Sequence, residues 1–310
     1  MEGDETPMAS TTKTALALGE ILWDILPTEK LLGGAPANFC HRLRQLGVTA
    51  RMVSRVGVDQ LGDELLTGLD ALTFDLSLVQ RDPSHPTGTV DVTLSSDGDP
   101  TFVIKTEVAY DYLEATPELL SAAASVDLIC FGTLVQRSER TRATLSTVLD
   151  AAKHALKFLD INLRKNCYSS DTVTDSLRRA DILKLNTAEV TILSKLLNLN
   201  ARTPEEFAAE VIERFGIETV LVTLGAKGVY ARGHNGECCT VPGVSISVVD
   251  TIGSGDSFAA GFVSKRLLSA PLEECCHFGN LMGALNATKK GGMPDISPAE
   301  VNAFVATHSM

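Results

Sequence analysis

Gly253-Ser254-Gly255-Asp256 is the segment most able to do chemistry, inside the run Asp250-Thr251-Ile252-Gly253-Ser254-Gly255-Asp256-Ser257-Phe258-Ala259-Ala260-Gly261-Phe262. Two glycines flank Ser254, and a helix of small residues follows at once. Glycine lets the backbone turn sharply, so that successive N–H groups at a helix start converge on one point. Those donors and the helix dipole make an anion site. A carboxylate beside a phosphate site is unfavourable for binding alone. Asp256 makes sense there as the base that takes a proton from a hydroxyl attacking phosphorus. The plainer alternative is an aspartate stabilising the first helical turn.

The segment fits neither common nucleotide fingerprint. It lies near the C-terminus and has Phe258 where a dinucleotide-binding G-x-G-x-x-G needs its third glycine, which disfavours a nicotinamide dehydrogenase. No G-K-[ST] follows, so it is not a Walker P-loop.

A second constellation is Gly33-Gly34-Ala35-Pro36-Ala37-Asn38, which opens a helix. The glycines expose backbone for close approach of a ligand, and Asn38 offers both a donor and an acceptor to a hydroxyl. Upstream, Trp23-Asp24 is read as the end of the first strand, where a parallel sheet faces its ligand crevice. Asp24 there would accept hydrogen bonds from vicinal sugar hydroxyls. Asn38 as a helix cap and Asp24 as a turn residue are the structural alternatives.

These groups need a scaffold of alternating elements. Ala15–Leu22, Ser125–Phe131, Leu156–Ile161, Asp181–Leu185 and Glu218–Thr223 read as apolar strands. Ala37–Leu46, Gly62–Leu72, Glu139–His154, Asp171–Arg179, Thr187–Leu196, Ile252–Leu268 and Leu272–Lys289 read as helices. The alternation predicts an α/β fold with a mainly parallel central sheet and helices on both faces. Thr116-Pro117-Glu118, Thr203-Pro204-Glu205-Glu206 and Ser297-Pro298-Ala299-Glu300 mark helix starts. Thr87–Ser95 and Thr101–Thr106, separated by Ser96-Asp97-Gly98-Asp99-Pro100, predict a hairpin. Such an insert, with strands from about residues 24–36 and 87–106, would be a small antiparallel β lid on one domain, residues 15–310.

Composition narrows the function classes. The chain has 310 residues and a net charge of -12, with no basic run, which disfavours nucleic acid and anionic membrane surfaces as partners. An acidic protein binds a phosphorylated ligand only through a local positive site. The seven cysteines include two adjacent pairs and no C-x-x-C, as expected for reduced intracellular thiols without zinc-ligand spacing. Residues 1–14 read as a loose polar tail, no stretch is long and apolar enough to span a bilayer, and the expected compartment is the cytoplasm.

The two glycine blocks resemble the paired signatures of the ribokinase-like (PfkB) carbohydrate kinases. The first matches through Gly33, Gly34, Asn38, Gly47 and Gly57, departing at Cys40, where a smaller Ser, Thr or Ala is usual; the second matches throughout Asp250–Val263. Asp160-x-Asn162-x-Arg164, Asn186-x-x-Glu189 and Thr223-x-Gly225-x-x-Gly228 follow the family order, so the likeness covers Ala15–Pro294. It implies a ribokinase-like fold and ATP-dependent transfer of the γ-phosphoryl group to a sugar. It also implies Asp256 as base, Gly253, Ser254 and Gly255 as anion hole, and Arg164 as a cation near the transferred phosphate. Asn186 and Glu189 would order Mg²⁺ through water, with helix capping as their alternative. Thr223, Gly225, Gly228 and Asn280 would line the nucleotide. Asp250 and Ile252, with the carbonyls around Lys290–Gly292, would form a K⁺ loop. Gly19–Asp24, Leu32–Asn38, Phe131-Gly132-x-Leu134-x-Gln136-Arg137 and Asp160–Arg164 look most like bacterial-type fructokinases, which adds Gln136 to the sugar contacts and a homodimer through the lid. Kinases of 2-keto-3-deoxygluconate, ribose or nucleosides remain open, as does a non-catalytic sugar or nucleotide sensor on the same fold.

Overall fold

The computed structural model describes residues 12–94 and 100–308. The chain runs β1 (Thr14–Leu18), β2 (Leu22–Ile25), β3 (Lys30–Gly33), α1 (Ala35–Gln45), β4 (Thr49–Gly57), α2 (Gln60–Ala71), β5 (Val79–Asp82), β6 (Thr89–Leu94) and β7 (Pro100–Ile104). It continues with α3 (Pro117–Ala123), β8 (Leu128–Phe131), α4 (Glu139–Ala151), β9 (Leu156–Asp160), α5 (Ser170–Arg179), β10 (Ile182–Asn186), α6 (Thr187–Leu196) and α7 (Pro204–Phe215). Last come β11 (Thr219–Thr223), β12 (Val229–Gly233), β13 (Cys238–Val241), α8 (Ser254–Arg266), α9 (Leu272–Ala287) and α10 (Pro298–His308).

The main sheet has the order β13-β12-β11-β10-β9-β8-β1-β4-β5. All neighbours from β11 to β5 pair in parallel; β12 and β13 add an antiparallel edge. Strands β8, β10 and β11 are buried almost throughout, as a sheet covered on both faces requires. One apolar cluster joins the sheet to α3, α4, α5, α6 and α7. Another joins its opposite face to α1, α2, α8 and α9. Strand β1 lies between β8 and β4, which follow it in opposite directions across the sheet. Such a switch point leaves a crevice at the carboxyl ends of the strands.

A second sheet, in the order β3-β2-β6-β7, forms from the segments anticipated as a lid. It consists of two antiparallel pairs joined by a parallel β2–β6 contact. The anticipated turn at 96–100 falls outside the described residues apart from Pro100, which starts β7. Ala15–Leu22, anticipated as one strand, is split: β1 stops at Leu18, and Leu22 begins the lid. Trp23 is drawn there by its N–H to the Gly88 carbonyl (3.1 Å) and its indole Nε1–H to the Leu61 carbonyl (2.9 Å). Asp24 therefore belongs to the lid and not to the end of the first central strand. Strands β4, β5, β12 and β13 escape the sequence reading: Arg51 and Arg55, Arg81 and Arg232 interrupt the apolar pattern of the first three, and β13 is four residues long with only Val241 buried.

The helix-start signals act as anticipated. Thr116 and Thr203 hydroxyls accept from Leu119 N (3.3 Å) and Glu206 N (3.2 Å). Ser297 and Glu300 form a reciprocal box, at 2.9 Å and 3.3 Å. Among the described residues, no helix is long and apolar enough to cross a membrane, and all seven cysteines are free thiols. Cys40, the departure from the family pattern, packs wholly inside the core of α1, where burial pushes its thiol up to about 12.

Candidate active site

Gly253 caps α8 in the left-handed region, at φ 73°. Its Cβ would stand 2.7 Å from both Cα and O of Gly292, so glycine is required by conformation and by space. The turn puts Ser254, Gly255 and Asp256 on the first turn of α8, whose leading N–H groups have no intrahelical acceptor. The Ser254 hydroxyl is buried without a protein partner. The Ser254 N–H donates to the Thr251 carbonyl at 3.2 Å, so its hydroxyl is the buried group left for a ligand oxygen.

Asp256 is half-buried, and its Oδ2 accepts from Asn38 Nδ2 at 2.8 Å. This bond joins the two glycine blocks, 218 residues apart. The Asn38 Oδ1 is buried and unpartnered, against Gly292, whose Cβ would meet it at 2.5 Å. Burial, then the nearby Asp160 carboxylate, push the Asp256 carboxyl up to about 6; Lys184, Asn38 and Arg164 pull the other way. The Asp256 carboxyl is thus mostly ionised at neutral pH while keeping appreciable proton affinity, a state suited to a general base.

Asp24 reaches the crevice from β2. Burial pushes its carboxyl up to about 6, against the attraction of Arg164. Gly33, across the β2–β3 ladder, leaves room for it: a Cβ there would stand 3.0 Å from Asp24 Cγ and closer still to Oδ2. Gly34, at φ 113°, lets the chain pass the Glu20 carbonyl and enter α1. Arg164 is exposed on the loop after β9; its carbonyl accepts from Cys167 N at 3.0 Å, while its guanidinium makes no hydrogen bond or ion pair among the described residues. It lies in electrostatic reach of Glu20, Asp24 and Asp256. That placement suits a cation awaiting an anionic ligand.

Beyond β11, Gly225 (φ 62°) and Gly228 (φ 103°) form a tight turn that packs against Val241–Gly243. Thr223, half-buried at the end of β11, donates to the Leu185 carbonyl at 3.3 Å. Asn280 on α9 donates to the carbonyls of Val241 (3.2 Å) and Pro242 (3.0 Å), holding the same segment from behind.

Three anticipated sets of site residues already have partners within the protein. Gln136 is buried; its amide donates to Gly132 O (2.7 Å) and Ser176 Oγ (3.0 Å), and Ser176 donates back. It braces the turn after β8 against α5 and does not present its amide to a sugar. Asn186 and Glu189 form a capping box on α6, at 3.0 Å and 2.8 Å, and the other Glu189 oxygen accepts from Leu163 N at 2.8 Å. Both Glu189 oxygens thus serve backbone N–H groups: the pair caps α6, as the alternative reading has it, and also holds the Leu163–Arg164 loop. Asp250 also works as a staple, accepting from Ile252 N (3.0 Å) and Gly291 N (2.9 Å), while the Ile252 carbonyl accepts from Asn286 Nδ2 (2.8 Å).

Other site residues escaped the sequence reading. Lys184 on β10 is buried in an apolar run, and its Nζ donates to Asp160 Oδ2 at 2.8 Å. Its signal is a lysine in the middle of a central strand. Glu20, between β1 and β2, is 5% exposed and accepts from Ala35 N at 3.3 Å; burial pushes its carboxyl up to about 7. Behind the base, buried Arg42 on α1 donates to Ser257 Oγ (3.4 Å), Asn286 Oδ1 (3.3 Å) and the Pro294 carbonyl (3.3 Å), tying α1 to α8 and α9. Polar residues at those buried helix positions are a visible signal only once the helices are known to touch.

The sequence pattern of the pfkB family carbohydrate kinases matches residues 25–299. Fructokinase-1 of Oryza sativa subsp. japonica is 30% identical, over 96% of this chain and 98% of the rice protein. The Escherichia coli fructokinase is 29% identical, over 89% of this chain and 94% of its own. A solved fructokinase from Vibrio cholerae O395, with fructose, ADP and calcium ion bound, is 26% identical with a TM-score of 0.81, covering 94% of this chain and 99% of that one. Fructokinase from Xylella fastidiosa with bound ATP, at 21% identity, shares the fold, with a TM-score of 0.86 over 96% of this chain and 100% of that one. By the match across most of its length, the chain belongs to the pfkB family of carbohydrate kinases.

Proposed function

We propose that this sugar kinase takes D-fructose as its acceptor and phosphorylates the primary 6-hydroxyl. The observation that carries the reading is the 2.8 Å bond between Asn38 and Asp256. It sets the base between the lid face bearing Asp24 and the anion hole at Gly253–Gly255. The 6-hydroxyl would give its proton to Asp256 as its oxygen attacks the γ-phosphorus of ATP, and the departing ADP would carry the leaving charge. Gly253–Gly255 N–H groups would hold the phosphoryl oxygens, and Arg164 would meet them from the solvent side. Asp24 and Asn38 would hold sugar hydroxyls. Thr223, Gly225 and Gly228 would receive the nucleotide, with Asn280 fixing the loop behind them. The lid would close over the sugar, since water competes for the same phosphorus.

A divalent cation, Mg²⁺ in this reading, would supply charge neutralisation on the phosphates. Each Glu189 oxygen accepts one backbone N–H and keeps a lone pair, so any contact of Asn186 and Glu189 with that cation would run through water. A K⁺ between the 250 and 290 loops would have to share Asp250 and the Ile252 carbonyl with their present donors. Pairing of two chains through the lid is supported by the edge strand β7, where Val103 is 48% exposed.

A panel of sugars with ADP release as the readout tests the assignment. Fructose should lead in kcat/KM, with slow ATP hydrolysis in its absence. Ribose or 2-keto-3-deoxygluconate far ahead of fructose would overturn the choice of sugar. ATP binding without any phosphorylation would favour a sensor.

A further inference from the structure

Lys184 and Asp160 face each other across adjacent parallel strands, in register on β10 and β9. Each is 8% exposed, and the ion pair spans 2.8 Å. Removing two charges from water is costly, and an apolar pair of the same size often serves stability as well. Stability alone is therefore a weak reason for the pair at this place. Its surroundings suggest a better one. Lys184 Nζ lies directly under the anion hole: a Cβ on Gly255 would stand 3.1 Å from it. Gly255 precedes Asp256 in the chain, and the other Asp160 oxygen is buried with no protein partner.

We propose that the Lys184–Asp160 pair is a positioning device for the base: Lys184 holds Asp256 in its ionised, proton-accepting form, and Asp160 anchors Lys184 while limiting its pull. The inference rests on Asp256 being the base of the kinase reaction.

The groups facing Asp256 come from every element around it. Asn38 donates from α1, Lys184 and Asp160 lie on β10 and β9, and Arg164 follows β9. Glu20 stands between β1 and β2, and Cys130 on β8, each within electrostatic reach. Asp160 opposes ionisation of Asp256; Lys184 and Arg164 favour it. Arg164 is exposed and screened, whereas Lys184 is buried, so its influence is the less screened. Lys184 also places fixed positive charge under the phosphoryl group in an acidic protein.

The two partners should therefore shift the acid limb of kcat/KM in opposite directions, by about one pH unit each for a charge in close range. Lys184→Met removes the cation and leaves Asp160 unbalanced, so the limb should move to higher pH. Asp160→Asn removes the opposing anion without changing shape, so the limb should move to lower pH. A pair that only supported the fold would lower the rate evenly across pH and leave the limb in place. Limbs that stay put, or that move the same way, overturn the proposal. If Lys184→Met fails to fold, Asp160→Asn still decides, since an unmoved or raised limb refutes the idea by itself. Failure of the base assignment is read separately: Asp256→Asn retaining near-normal activity would remove the base, whereas loss of activity there with unmoved limbs in the pair variants would remove only the pair.

Discussion

Replacing Gly33 by alanine tests whether Asp24 is held in place by the space beside it. The backbone at Gly33 is ordinary extended strand, so alanine brings no conformational strain. Its new Cβ would stand 3.0 Å from Asp24 Cγ and closer to Oδ2, while ordinary contact begins at 3.4 Å. The carboxylate must therefore move by ~1 Å, and a displacement of that size in a substrate-positioning group can cost ~10²-fold in rate. We expect fructose kcat/KM to fall by about that factor, with KM for ATP little changed. Asp24→Ala alone should cost about as much, since a hydrogen bond to a charged group is worth ~1.5–3 kcal/mol. The decisive measurement is the double variant. If Gly33→Ala acts only by displacing Asp24, it has nothing left to displace once Asp24 is alanine, and the double variant should match Asp24→Ala. The other neighbour of the new Cβ, the Leu22 Cδ1 at 3.0 Å, is the end of a flexible side chain that can yield. Coupled ADP detection over a fructose series, on all four proteins, gives the cycle. Two losses that simply add, or a Gly33→Ala enzyme with normal fructose kinetics, would refute the argument and remove Asp24 from the sugar site.

Three further outcomes are expected. Asp256→Asn should lower kcat by ~10²-fold or more with ATP binding kept, and wild-type kcat/KM should fall as pH drops through the carboxyl's value of about 6, because protonation removes the base; activity within a few-fold of wild type would exclude the role. Glu189→Gln should act on stability, since an amide NH₂ would face the backbone N–H of Asn186 or Leu163; a loss of ~1–3 kcal/mol in denaturation with an unchanged Mg²⁺ requirement is expected, and a raised Mg²⁺ requirement at normal stability would restore a metal role. Glu20→Gln should stabilise at alkaline pH. The folded-state carboxyl is raised from 4.5 to about 7, so the stability it contributes is full below its unfolded value and is lost as pH rises through 7. Thermal denaturation should show a gain of ~2–3 kcal/mol at pH 8 and little change at pH 4; equal shifts at both would contradict the burial argument.

The Gly253–Asp256 site is legible in the sequence because it is local. One left-handed glycine, a helix start and a carboxylate on the first turn involve adjacent residues, and their geometry follows from backbone rules. The capped helix starts at Thr116, Thr203 and Ser297 are legible for the same reason, as is the parallel sheet, whose strands must be apolar on both faces. Residues whose work is done across the fold are not legible in this way. Asp24 ends in the lid because Trp23 finds Leu61 and Gly88, which no local pattern states. Gln136 and Glu189 carry side chains that suit a ligand equally well, and only the placement of Ser176 and Leu163 decides that they serve the protein. Lys184 appears in the sequence as a lone charge in an apolar strand. Its meaning comes from Asp160 on the next strand and from Gly255 above it, because electrostatic influence depends on distance and burial, and both are set by the packing of segments far apart in the chain.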